Sequence, residues 1–191
     1  MARIISGIAR GRNLAVPEDG TRPTADRAKE GLFSSLAARF GFEGRHVLDL
    51  FAGTGALGLE ALSRGAASAT FVEADKAACR VIEKNIAAAK LPGTRVEQMK
   101  ASSFVAVAPR GHYGMVLADP PYDLADSAVA EMIDALVPLL APGAAVVIER
   151  HRDTAHTEWP EGFEPTPQKL KKRTFGIARM DMATFIGEGE K

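Results

Sequence analysis

An α/β domain, a mainly parallel seven-stranded sheet with helices on both faces, follows from three observations. From His46 onward, short apolar runs alternate with longer stretches of helical periodicity, the pattern of strands joined by crossover helices. Two of those runs end in a carboxylate beside a glycine-rich or proline-rich turn. With 191 residues, 46% of them hydrophobic, the chain is long enough for one packed core and too short for two.

Taken in order, Arg3-Ile4-Ile5-Ser6-Gly7 and Asn13-Leu14-Ala15-Val16 are short, partly apolar and separated by Gly7 and Gly11, which reads as a small hairpin. Residues 17–23 form a linker, and Thr24 is a helix N-cap with Asp26 in the first turn. The helix that follows buries Ala28, Leu32, Phe33, Leu36 and Phe40 and stops at Gly41. Five strands are expected at 46–50, 69–73, 94–98, 113–118 and 144–150, with helices at 57–64, 76–89, 102–106 and 125–140. Gly65 and Gly143 sit where helices should stop. After a loop holding Pro160, Pro165 and Pro167, residues 169–175 and 177–185 pair as a closing hairpin and complete the seven strands. The chain thus divides into an extension, 1–41, and a main domain, 42–186.

Lys and Arg number 24, as do Asp and Glu, so affinity for a polyanion has to come from local patches. The lone Cys79 excludes an intramolecular disulfide and suits a reducing compartment. No run approaches the roughly 20 apolar residues that span a bilayer, and the N-terminus lacks a secretory apolar segment. A cytoplasmic, soluble protein without a membrane partner, and a monomer, is expected.

Asp49-Leu50-Phe51-Ala52-Gly53-Thr54-Gly55-Ala56-Leu57-Gly58 closes the first parallel strand and opens a helix, and its glycines let a ligand approach the backbone. Gly53, Gly55 and Gly58 also satisfy the dinucleotide fingerprint, with Glu73 at the ribose-binding distance. The motif alone therefore admits an oxidoreductase using NAD or a methyltransferase. Asp49 leans against the first, since its charge repels a pyrophosphate and tolerates a cationic sulfonium and ammonium.

Ala118-Asp119-Pro120-Pro121-Tyr122 leaves the carboxyl end of another strand, where α/β domains bind ligands. The prolines have no N–H, so Asp119 and nearby carbonyls are left as acceptors, which suits a substrate amino group. Tyr122 offers a face for a base taken out of its stack. This motif resembles the Asp/Asn-Pro-Pro-Tyr/Phe signature of class I amino methyltransferases, and the loop at 49–58 resembles their cofactor motif.

Arg22-Pro23-Thr24-x-Asp26-Arg27 with Glu30 and Leu32-Phe33, then Gly55-Ala56-Leu57-Gly58-Leu59-Glu60-Ala61-Leu62-Ser63-Arg64, are similar to the RsmD family of bacterial 16S rRNA guanine-N2 methyltransferases. The resemblance implies a Rossmann-like fold, S-adenosylmethionine as cofactor, and 16S rRNA in the small subunit or an assembly intermediate as partner. The resemblance also implies the family's site, guanine 966 in ribosomal numbering, as the target. It places Asp119, Pro120 and Tyr122 in catalysis, and Asp49, Phe51, Gly53, Gly55, Glu73, Ala101, Ser102 and Asp119 around the cofactor. The stretch Gln98-Met99-Lys100-Ala101-Ser102-Ser103 lacks the acid many methyltransferases carry near the adenine, leaving backbone groups or Ser102 for that contact.

Arg10, Arg12, Arg22, Arg27, Lys171, Lys172 and Arg173 are read as RNA-phosphate contacts, because both basic regions flank the main domain. Cys79 is a packing residue, and His46, His112, His151 and His156 show no metal-ligand spacing. Methylation of a DNA adenine or a protein glutamine is the nearest alternative chemistry. A non-catalytic RNA-binding module would leave the acceptors around Asp119 without a purpose.

Overall fold

The computed structural model describes residues 2–16, 26–167 and 173–187, with the side chains of 26–28 outside that description. Strands β1 (Ala2–Arg3) and β2 (Asn13–Leu14) form an antiparallel pair, followed by helix α1 (Asp26–Arg39). Then come β3 (His46–Leu50), α2 (Ala56–Ser63), β4 (Ser68–Glu73), α3 (Lys76–Ala89), β5 (Thr94–Gln98) and α4 (Ala101–Val105). Next are β6 (Tyr113–Ala118), α5 (Asp126–Leu136), a 3-10 turn (Val137–Leu139) and β7 (Leu140–His151). Strands β8 (Phe163–Pro165), β9 (Thr174–Phe175) and β10 (Ala178–Phe185) close the chain.

Seven strands lie in the order β5-β4-β3-β6-β7-β10-β8, and short β9 adds an eighth by pairing with β10. The ladders from β5 to β7 are parallel, and those of β10 with β7, β8 and β9 are antiparallel. Strand order reverses between β3 and β6, which opens a crevice above their carboxyl ends.

Alternation along the strands makes two cores. Val47, Phe71, Met115, Leu117, Ala145, Val147 and Met180 face one side, under α1, α2 and α3. Leu48, Leu50, Val116, Ala118, Val146 and Ile148 face the other, under α4 and α5. By the same alternation, residues 49, 119 and 149 emerge on the first face at the carboxyl end of three neighbouring strands.

Three details differ from the sequence reading. Pro138, which lacks an N–H, tightens the end of α5 into the 3-10 turn, and Gly143 lies within β7 beside a register shift between Tyr113 and Met115. β8 forms within the proline-rich stretch; among the described residues it pairs with β10 alone, and an edge strand tolerates Pro165. Of the closing hairpin, Thr174–Phe175 pair antiparallel with β10 as expected, while 169–172, like Thr24, lie outside the described residues.

The N-terminal hairpin shares the first core through Ile4, Ala9 and Leu14. Glu60 of α2, fully buried, accepts from the N–H groups of Ile5 (2.7 Å) and Ser6 (3.1 Å) and pairs with Arg64. Ser63 accepts from Ala9 N–H at 3.0 Å through its hydroxyl and from Ile8 N–H at 2.8 Å through its carbonyl. The hairpin tip therefore sits at the carboxyl end of α2. Gly7 has φ 84°, and a Cβ there would stand 1.7 Å from the Ser63 carbonyl oxygen. Gly7→Ala should lower stability by about 1–3 kcal/mol and speed proteolysis of the first 16 residues, as thermal melts and limited digestion would read.

Candidate active site

The loop after β3 is held from both sides. Asp49, almost fully buried, accepts from Gly58 N–H at 2.8 Å through Oδ2, while its Oδ1 is buried with no hydrogen-bond partner. A Cβ on Gly58 would stand 2.4 Å from the Phe71 ring and 3.1 Å from Asp49 Oδ2, so this contact requires glycine. Phe51 has φ 58°, a conformation an aromatic L residue adopts only under constraint. Glu73, ending β4, accepts from Gly53 N–H and Asp75 N–H, each at 2.9 Å. Its carboxylate is thereby fixed beside the loop, with lone pairs still open.

Asn85 is a residue the sequence reading passed over. Buried on α3, it accepts from Ala15 N–H at 2.7 Å and donates to the carbonyls of Ala15 (3.0 Å) and Thr54 (2.9 Å). It ties the end of the hairpin to the glycine loop. A polar residue in the apolar stripe of Cys79, Ile82, Ile86 and Ala89 was its signal.

Beyond β6, Asp119 is half-buried and Pro120 buried, and Asp119 N–H reaches the Leu50 carbonyl at 3.3 Å. Tyr122 donates its hydroxyl to Glu149 Oε1 at 2.7 Å and meets the His151 ring edge-on, centroids 5.4 Å apart. Glu149, a lone acid ending an apolar run, was also missed, and His151 lines the cleft through this contact. Between them in sequence, buried Arg150 points to the other face, pairs with Asp126 and holds the turn after Tyr122.

Electrostatics sharpen the picture. Burial holds the Asp49 carboxyl well above the usual range; Gly58 N–H opposes this, and Asp119 and Glu73 add to it. Asp119 is pushed up to about 7, first by burial and then by Glu149. Burial also raises Glu149, against the Tyr122 hydroxyl. A negative pole with an unpartnered buried oxygen suits a cation and opposes a pyrophosphate, so the residues present fit S-adenosylmethionine and disfavour NAD. Ala101 and Ser102 open α4 above β5 at the same edge of the sheet, Ala101 buried and Ser102 exposed.

The expected RNA contacts fall differently. Arg10 and Arg12 are exposed near the hairpin tip. Arg173 is spent on Asp181 at 2.8 Å, inside a network completed by buried Arg179 and Thr157. Arg22, Lys171 and Lys172 lie outside the described residues, as does the Arg27 side chain. Cys79 is buried, donating to the Glu73 carbonyl. Among the described residues there is no cluster able to hold a metal ion, and no helix long and apolar enough to cross a membrane.

This sheet order, with a cofactor-type glycine loop and a carboxylate turn at the switch point, defines a class I methyltransferase fold, whose cofactor is S-adenosylmethionine. The family model described as conserved hypothetical protein 95 matches residues 2–183. The ribosomal RNA small subunit methyltransferase D of Haemophilus influenzae is 36% identical over 181 residues, 92% of this chain and 89% of that one. Its Escherichia coli namesake is 48% identical over 121 residues, a match spanning 63% of this chain and only 60% of the relative. Among solved structures, a putative methyltransferase from Escherichia coli superposes with a TM-score of 0.81 at 34% identity, covering 98% of both chains. The chain belongs to this family, the RsmD methyltransferases.

Asp119 also makes stability depend on pH. A carboxyl whose pKa is higher folded than unfolded binds its proton more tightly in the folded state. Its contribution is therefore complete below the ordinary carboxylate range and declines as pH rises to about 7. Asp119→Asn should melt at a temperature that gains on the parent's across that window, and a constant difference between the two curves would contradict the assignment.

Proposed function

We propose that the protein transfers a methyl group from S-adenosylmethionine to the exocyclic N2 amino group of a guanine in 16S rRNA, within the small subunit or an assembly intermediate, in the cytoplasm. The observation carrying this reading is the acceptor set at the end of β6: the Asp119 carboxylate and the carbonyl of Pro120, next to the Tyr122 ring. Such a set favours a planar substrate that donates. The names of the relatives support ribosomal RNA as its source.

When bound, S-adenosylmethionine supplies an electrophilic methyl carbon on a sulfonium. Asp49 and Glu73 would hold its cationic and ribose ends. The guanine N2 lone pair is delocalised into the ring, so the amino group is a poor nucleophile until its hydrogens are held. Asp119 and the Pro120 carbonyl accept those hydrogens and leave the lone pair on the open side, while Tyr122 fixes the plane of the base. The nitrogen becomes acidic as it gains the methyl, and Asp119 then takes one proton and passes it to water. Orientation and fixed acceptors account for much of the acceleration in this scheme.

Incubating the protein with labelled cofactor and unmethylated small-subunit RNA should place the label in N2-methylguanosine, identified by nucleoside mass mapping. Label in N6-methyladenosine instead would overturn the reading.

For RNA contact we assign Arg10 and Arg12, with the exposed Ile8 beside them, rather than Arg173, whose guanidinium is already paired. Replacing both arginines with Ala should weaken RNA binding and flatten its salt dependence by up to about one unit of slope per lost phosphate contact. Cofactor affinity should stay at the parent's value. Filter binding at several salt concentrations measures the first effect and calorimetry the second.

A further inference from the structure

Glu149 stands one step beyond the last paired residues of β6 and β7, Ala118 and Ile148, so on β7, where it still pairs with Met180 of β10, it is level with Asp119 and on the same face. Neighbouring strands lie about 4.8 Å apart, which sets the two carboxylates side by side. Glu149 is 7% exposed. Its Oε1 takes the Tyr122 hydroxyl, no other described residue donates to Oε2 or to the Asp119 carboxylate, and the two acids raise each other's proton affinity as close neighbours do. Both open acceptors therefore adjoin the ring assigned above to base stacking.

We propose that Glu149 determines specificity for guanine, its free oxygen accepting from N1–H while Asp119 accepts from the N2 amino group. The inference rests on the guanine reading above and deepens it. On the pairing edge of guanine, N1–H and the N2 amino group are adjacent donors, a match for two adjacent carboxylates. Adenine presents its amino group beside an unprotonated N1, which would face the second carboxylate lone pair to lone pair. A site built to accept a hydrogen bond rejects an analogue that cannot give it, because the acceptor is left desolvated and unpaired. Two donors would also relieve the repulsion between the carboxylates, which in their absence favours holding a proton on the pair. The Tyr122 hydroxyl serves the same end by fixing the Glu149 carboxylate against the ring.

The test uses small-subunit RNA carrying either guanine or 2-aminopurine at the methylated position. 2-Aminopurine keeps the N2 amino group and has no proton on N1. The parent should methylate the guanine RNA with a kcat/KM about 10- to 100-fold higher, the range expected for a hydrogen bond to a charged group. In Glu149→Gln the amide oxygen can still accept from Tyr122, and its NH2 turns a donor toward N1, so the preference should fall to near unity or reverse. If Glu149 merely supported Tyr122, the substitution would slow both RNAs alike and leave the ratio unchanged, which overturns the proposal. A parent enzyme that methylates both RNAs equally also overturns it, needs no variant, and leaves guanine N2 methylation standing. Absence of methylation on the guanine RNA would overturn both.

Discussion

Asp49, Asp119 and Glu149 share one end of one face of the sheet, and keeping three carboxylates there is the constraint on which the rest depends. Like charges in a desolvated corner repel, and the fold offsets that with a small number of donors. Gly58 N–H serves Asp49, and the Tyr122 hydroxyl serves Glu149. Asp49 Oδ1 gets nothing, and the raised carboxyl pKa values report the residue of the conflict. An arrangement that costs stability at the switch point of an α/β sheet marks a candidate binding site, and the proposed ligands are those the conflict favours: a cation toward Asp49, hydrogen-bond donors toward Asp119 and Glu149.

Rigidity around the pole comes from residues that carry no charge into it. Arg150 holds the turn after Tyr122 from the opposite face, and Arg179 gathers the carbonyls of Arg152, Thr154 and Ala155 just past the end of β7. Three successive residues of β7 thus hold the turn after β6: Glu149 and His151 touch Tyr122, and Arg150 braces the chain behind it. The N-terminal hairpin is likewise bound into the domain. Glu60 and Ser63 hold its tip, Asn85 holds its end, and Asn85 also reaches the Thr54 carbonyl of the glycine loop. The extension is continuous with the cofactor side of the core.

Most of the architecture is legible in the sequence because it is local. The periods of the apolar runs set the strands and helices from His46 to Ile148 to within a few residues, and the two motifs marked the ends of β3 and β6. The departures arose where a residue's local signal was overruled by its neighbours. Gly143 reads as a helix stop, yet Pro138 had already closed the helix and the glycine went to a bulge. Phe163 to Pro165 reads as loop and becomes an edge strand because β10 offers it an unpaired side.

By itself, the sequence determined the parallel sheet, the glycine loop, the acceptor turn and the family, each a matter of residue type at short spacing. Only the tertiary structure decided which distant residues meet. Asn85 with Ala15, Glu60 with Ile5, and Arg173 with Asp181 are pairings that no spacing encodes, since strand order and helix packing bring them together. The same holds for Glu149. On its own strand it is one acid after a run of apolar residues, and it becomes part of the site only because β7 lies against β6 in a register that sets it beside Asp119. Side-chain chemistry is written along the chain, whereas the charge of a site is the sum over strands that become neighbours on folding.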